Sequence, residues 1–138
     1  MVSANTLLDY WMPSQAEAIE ELSNAVQTAL IDLQEHVFPI NLCLEELIFN
    51  TISYGLKGDP THRIHVMIIK HPHQLEITIE DDGPSYDPFS HAVEPDLDLS
   101  VDERPVGGLG IHFVKTLMAQ VNADQLNPGN RITLRKHI

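Results

Sequence analysis

Arg63-Ile-His-Val-Met-Ile-Ile-Lys70 and Leu75-Glu-Ile-Thr-Ile-Glu80, joined by the polar stretch His71-Pro-His-Gln74, decide the fold. Leu75, Ile77 and Ile79 alternate with Glu76, Thr78 and Glu80, the period of a strand with one buried face and one wet face. Two such runs around a short polar connection read as a hairpin. The apolar face of a half-wet sheet needs a cover, and the flanking segments offer helices for it.

Upstream, Thr6 to Met12 is a short apolar and aromatic stretch before Pro13 and reads as a first strand. Pro13-Ser14 opens a helix: Ser14 and Glu17 have capping-box spacing, and Ile19, Leu22, Val26, Ala29, Leu30 and Leu33 recur at helical intervals. A second helix is expected from about Pro39 to Tyr54, stopped by Gly55, Gly58 and Pro60. Downstream, the segment from Pro84 to Pro105 holds four prolines, six acids and one cation, Arg104, and predicts a long functional loop. Gly107-Gly-Leu-Gly110 then enters an apolar helix running through Val121, and Arg131 to Lys136 closes the chain as a strand. The order β-α-α-β-β-loop-α-β predicts an α+β two-layer sandwich in a single domain over 1–138, its mostly antiparallel sheet carrying helices on one face.

Composition narrows the function. With 138 residues, 43% hydrophobic and 20% charged, the chain can bury a core without disulfides. A net charge of −12, with only eight Lys and Arg, argues against a nucleic-acid surface, though a single nucleotide remains within reach. Cys43 is the only cysteine, which rules out an intrachain disulfide or a multi-cysteine zinc site and reads as a buried thiol. No stretch free of Asp, Glu, Lys and Arg exceeds ten residues, too short to span a bilayer. The start, Met1 to Asp9, lacks the basic and apolar regions of a signal peptide, so a cytoplasmic protein is expected.

Three constellations could carry chemistry. Glu46-Leu-Ile-Phe-Asn50 places a carboxylate and an amide one turn apart on the same helix face, suited to proton transfer and to a hard cation. Glu80-Asp-Asp-Gly83 ends a strand, where a carboxylate can accept from an exocyclic amine. Gly107-Gly-Leu-Gly110 opens a helix, whose unpaired N–H groups suit phosphate. His62-x-x-His65 and His71-x-His73 read as solvated strand and turn positions rather than a metal site, because i and i+3 on a strand face opposite sides.

In this order the three motifs resemble the GHKL superfamily with its Bergerat ATP-binding fold, and within it the bacterial anti-sigma factors that are serine/threonine-protein kinases. Glu-x-x-x-Asn-x-x-x-Tyr-Gly over 46–55 is similar to the N box, with Tyr54 in place of the usual His. Asp81-Asp-Gly83 resembles the adenine box, with Ser85 where many members have a second Gly, and Gly108-Leu109-Gly110 resembles the phosphate box. The resemblance implies Glu46 as general base and Asn50 as the Mg²⁺ ligand. It also implies Asp81 and Gly83 at adenine, and the backbones of Gly108, Leu109 and Gly110 at the phosphates. Residues 84–107 become an ATP lid in which Arg104 meets the nucleotide. Asn130, after Gly129, falls where the family commonly has Thr, and is a further nucleotide-binding candidate. The implied ligands are ATP/ADP and Mg²⁺. The implied partners are a small anti-anti-sigma protein of the STAS type and a sigma factor, with a homodimer as a further expectation. A nucleotide-gated binding module that transfers no phosphate is the alternative.

Overall fold

The hairpin forms as its alternation predicts. The computed structural model describes residues 5–90 and 108–138. Strand β1 (Thr6–Pro13) leads to helices α1 (Ile19–Ala29) and α2 (Val37–Asn50). Strands β2 (Arg63–Lys70) and β3 (Gln74–Asp81) follow, then α3 (Gly108–Leu117), β4 (Gln120–Gln125) and β5 (Asn130–His137). The five strands make one sheet in the order β1-β2-β3-β5-β4, antiparallel at every pairing. The helices share one face, α2 lying between α1 and α3. The chain is therefore an α+β sandwich. No helix among the described residues is long and apolar enough to cross a membrane.

The inner face of the sheet consists of Leu8, Met12, Ile64, Val66, Ile68, Leu75, Ile77, Ile79, Ile132 and Leu134, all buried. The helices meet it with Leu22, Val26, Leu44, Leu47, Ile48, Ile111 and Val114. Each such side chain, fully buried, contributes about 1.5–3 kcal/mol of transfer free energy. This burial holds the two layers together. Among the described residues no helix covers the outer face, which is mixed. Arg131 pairs with Glu80 at 2.7 Å and Arg135 with Glu76 at 3.0 Å. On the β1–β2 side, Trp11 stacks on His65 with ring centroids 4.1 Å apart, and the Arg63 guanidinium lies 4.8 Å from the Trp11 ring.

The structure corrects three expectations. The first helix does not begin at Ser14 with a capping box: a 3₁₀ turn at Ala16–Ala18 precedes α1, and neither carries a side-chain cap. Ser14 is buried and donates instead to the Asp59 carbonyl at 2.7 Å, while its own N–H bonds the His62 carbonyl at 3.0 Å. The third helix ends at Leu117, and the residues around Val121 form the edge strand β4. Val121 and Ala123 alternate with exposed polar neighbours there, a strand period too short and too polar to stand out beside the preceding helical pattern. The second helix begins at Val37 and finishes in a π-helical turn, Thr51–Gly55, where the Leu56 N–H reaches the Thr51 carbonyl at 2.7 Å. The lid expected over 84–107 falls, from residue 91 onward, outside the described residues, and Arg104 with it.

Because Ser14 fastens β1 to the turn before β2 rather than capping a helix, its two motif partners separate. Ser14→Ala should lower unfolding free energy by about 1 kcal/mol, the usual worth of a buried hydrogen bond. Glu17→Gln should leave it within about 0.5 kcal/mol, as exposed substitutions do. Urea denaturation of the two variants measures both.

Candidate functional site

Helix α2 is buried on the side that meets the sheet, through Ile40, Cys43, Leu44, Leu47 and Ile48. Asn50, one turn from Glu46, is drawn into this apolar surrounding and is only 6% exposed. A buried amide requires partners. Its Nδ2 donates to Glu46 Oε1 at 3.3 Å, which leaves Oδ1 as an acceptor with no bond from the described residues. Two positions chosen from spacing alone are thus joined on one helix face.

Glu46 in turn meets α3. A β-carbon at Gly110 would collide with the Glu46 carboxyl group, so glycine at that position is what allows the acid to approach the first turn of α3. Half-burial holds the Glu46 carboxyl above its ordinary range, the Asn50 hydrogen bond opposes this, and the neighbouring Glu45 adds to the rise. Two cavities open on this carboxylate. One of about 570 Å³ lies between α1 and α2, among Ile19, Glu20, Ser23, Glu45 and Phe49. The other, about 230 Å³, lies between α2 and α3, among Leu42, Cys43, Phe113 and Val114. Burial pushes the Cys43 thiol up to about 11, so it lines the wall as an unreactive thiol.

A second cluster forms at the end of β3. Asp81 Oδ1 accepts from the Gly83 N–H at 2.8 Å and from Asn130 Nδ2 at 3.1 Å. Asn130, 6% exposed and opposite Asp81 in the β3–β5 register, also donates to the Pro84 carbonyl at 2.7 Å and accepts from the Tyr86 N–H at 3.0 Å. Every polar atom of its side chain therefore has a protein partner. Gly129 precedes it at φ +110°, where a β-carbon would strike the Asp81 carbonyl. Asp82 points elsewhere: its Oδ1 holds His62 Nδ1 at 2.7 Å, which raises the His62 pKa.

Tyr86, which the sequence did not single out, connects the clusters. A β-carbon at Gly55 would stand 3.0 Å from Tyr86 Cδ1, so the ring packs on the end of the π turn. Burial raises the Tyr86 phenol, and Tyr54, Asp87 and Glu46 raise it further, which sets it within the electrostatic reach of the α2 acid. An aromatic residue inside Asp-Asp-Gly-Pro-Ser-Tyr was the available signal.

The structure thus unites Glu46, Asn50 and Gly110, and separately Asp81, Gly83 and Asn130. Gly108 and Leu109 begin α3, directly before Gly110. Tyr54 and Ser85, the two departures from the motif pattern, are exposed. Among the described residues, no three His, Cys, Asp or Glu side chains form a group able to hold a metal.

Residues 12–136 match the histidine kinase-like ATPase domain. The chain belongs to that family. Among its curated relatives, the serine/threonine-protein kinase BtrW of Bordetella bronchiseptica is 27% identical over 100 residues, 72% of this chain and 70% of the relative. The serine-protein kinase RsbW of Listeria monocytogenes is 25% identical over 107 residues, 75% and 68%. The anti-sigma F factor of Oceanobacillus iheyensis is 27% identical over 94 residues, 68% and 64%. Histidine kinase-like ATPase membership implies ATP as the ligand, and the relatives it resembles carry the names of serine kinases and an anti-sigma factor.

The Glu46 shift carries a pH signature with a definite sign. A carboxyl whose folded pKa lies above its ordinary value of 4.5 favours the folded state when protonated. That stability is present below the unfolded pKa and is lost as pH rises through the folded one. Glu46→Gln should therefore be more stable than the parent at neutral pH, and the difference should vanish near pH 4. Denaturation midpoints of the two proteins across that window measure it.

Proposed function

We propose that the protein is a Mg²⁺–ATP-dependent serine/threonine kinase of the anti-sigma type. Its acceptor would be a small anti-anti-sigma protein of the STAS type, and phosphorylation would govern exchange with a sigma factor. The observation that most supports this reading is the joining of Glu46 to both Asn50 and Gly110, a half-buried carboxylate beside an amide and a glycine in the first turn of a helix.

Each residue then has a role. Asp81 accepts from the adenine amine, and Gly83 keeps the strand end close to the base. The backbone of Gly108, Leu109 and Gly110 faces the phosphates with the N–H groups and positive end of α3. Glu46, with its pKa raised, takes the proton from the acceptor serine hydroxyl, which approaches through the cavity between α1 and α2. With no converging acidic cluster among the described residues, a Mg²⁺ ion would be held by Asn50 Oδ1 and by phosphate oxygens, and would supply neutralisation of charge on the transferred group. The fit rests on the amide geometry: Nδ2 is engaged by Glu46, and the oxygen, the harder ligand, is left for the cation.

ATP should bind in the micromolar range in the presence of Mg²⁺, roughly −8 kcal/mol. Asn50→Ala should weaken the metal complex more than free nucleotide. Glu46→Gln should keep ATP binding and lower transfer to the acceptor at least ~10²-fold, the worth of a positioned base. Glu45→Gln, rotated about 100° around α2, should transfer like the parent. Calorimetry with ATP and labelled-phosphate transfer to an anti-anti-sigma protein test this. ATP binding without transfer by the parent would favour the non-catalytic binding module, and no ATP binding would refute both readings.

A further inference from the structure

His62 stands where three segments of the chain meet. It lies in the loop that leads into β2, and its carbonyl accepts from the N–H of Ser14, just after β1, at 3.0 Å. Its ring reaches Asp82, the residue that follows β3. We infer that protonated His62 ties the end of β3 to the loop before β2, and that affinity for a nucleotide at that strand end falls as His62 loses its proton. The inference rests on the reading of Asp81 as the adenine contact, and adds to it a proton-operated fastening beside the site.

The geometry calls for the proton. His62 Nδ1 lies 2.7 Å from Asp82 Oδ1, and Nε2 faces Asp59 Oδ2 at 3.6 Å. A neutral imidazole has one N–H, so it would serve one of these carboxylates and turn a lone pair on the other. The imidazolium carries an N–H towards each. Asp59 is held in place for this pairing. Its Oδ1 accepts from the Thr61 N–H at 2.9 Å and from the Thr61 hydroxyl at 2.7 Å, which leaves Oδ2 towards the ring. Those two bonds keep the Asp59 carboxyl below its ordinary range, so it is charged wherever His62 titrates. The Asp59 carbonyl takes the Ser14 hydroxyl at 2.7 Å, which anchors this side of the tie to the end of β1.

The other side is looser. The Asp82 side chain is 66% exposed, and its chain neighbours Asp81 and Gly83 belong to the candidate base site. The charges that act on His62 are those of Asp82 and Asp59, which face it, and of Asp81, whereas Ser14 brings none. The hydrogen bond to Asp82, then these charges, raise the His62 pKa above its ordinary value of 6.5 against the cost of desolvation. A group raised in this way contributes stability that is fully present below its unfolded pKa and is lost as pH rises through its folded one. Above that point Asp59, Asp81 and Asp82 repel one another with the cation between them gone, and Asp82, the exposed member, swings away and loosens the strand end that carries Asp81.

Calorimetric titration of ATP, with Mg²⁺, into the full chain and into His62→Gln at pH 5.5 and pH 9 reads the proton dependence. Ionisation of the nucleotide and of the other histidines acts on both proteins alike, so the readout is the ratio of parent to variant affinity at each pH. The parent should bind about two- to fivefold more tightly at pH 5.5, the range of one partly exposed ion pair, and the ratio should approach one at pH 9. A merely structural loss would weaken the variant equally at both pH values. Urea denaturation without nucleotide reads the tie itself, through the cycle of His62→Gln, Asp82→Asn and the double variant. The pair should couple by about two- to fivefold in the unfolding equilibrium constant at pH 5.5, and by less at pH 9. Additive variants at pH 5.5 overturn the tie. Coupled variants with an affinity ratio that ignores pH overturn its effect on the nucleotide. A parent that binds no ATP at either pH overturns the adenine reading and that effect with it, while the denaturation cycle still decides the tie.

Discussion

Burial of α2 along its sheet-facing side is the constraint from which the rest of the site follows. Packed between α1 and α3 and pressed on the sheet through Leu44, Leu47 and Ile48, the helix has little room for polar atoms. Asn50 lies inside that boundary and donates one amide hydrogen to Glu46, whose carboxyl group stands against the first turn of α3. With Glu46 there, a side chain at Gly110 in the first turn of α3 would displace the carboxyl group. A purely apolar helix would pack as well and would need none of these adjustments. The sequence of dependence, buried amide to half-buried acid to bare glycine, is the form expected when stability is traded locally for a prepared site.

The end of β3 is built differently. There the sheet itself sets the geometry, since the pairing of Asp81 with Asn130 fixes their separation before any side chain turns. Gly129 is required at positive φ because the Asp81 carbonyl fills the space a β-carbon would take. Tyr86 joins this rigid edge to the helical cluster, so the two clusters share one packed contact.

Much of this was legible in the sequence. The alternation of Leu75, Ile77 and Ile79 with polar residues gave the half-wet sheet, and the spacing of Glu46 and Asn50 gave a shared helix face, because both follow from fixed backbone periods. What depended on tertiary contacts was not legible. Ser14 and Glu17 carry a capping spacing, yet the Asp59 carbonyl, distant in sequence, takes the Ser14 hydroxyl. The strand at Gln120–Gln125 hides because an exposed edge needs few apolar residues, and Val121 continues the helical pattern before it. The glycine at 110 could be noticed as part of a Gly-rich entry to a helix, but not as the position facing Glu46. That required knowing which helix lies next to which. Likewise Asn130 could be aligned with a motif position, whereas its three bonds depend on strand pairing and on the path of residues 84–86.

The stacked pair on the sheet face opposite the helices gives the molecule a built-in optical reporter. Trp11 is the only tryptophan, half-exposed on β1, and its ring lies flat on His65 across the sheet from α2. Its emission therefore reports on that face of the sheet: a macromolecule settling on these strands would exclude water from the indole. Events among the helices reach the fluorophore only through the sheet itself. Light from this single ring can thus tell which surface a binding partner occupies, without any label being attached.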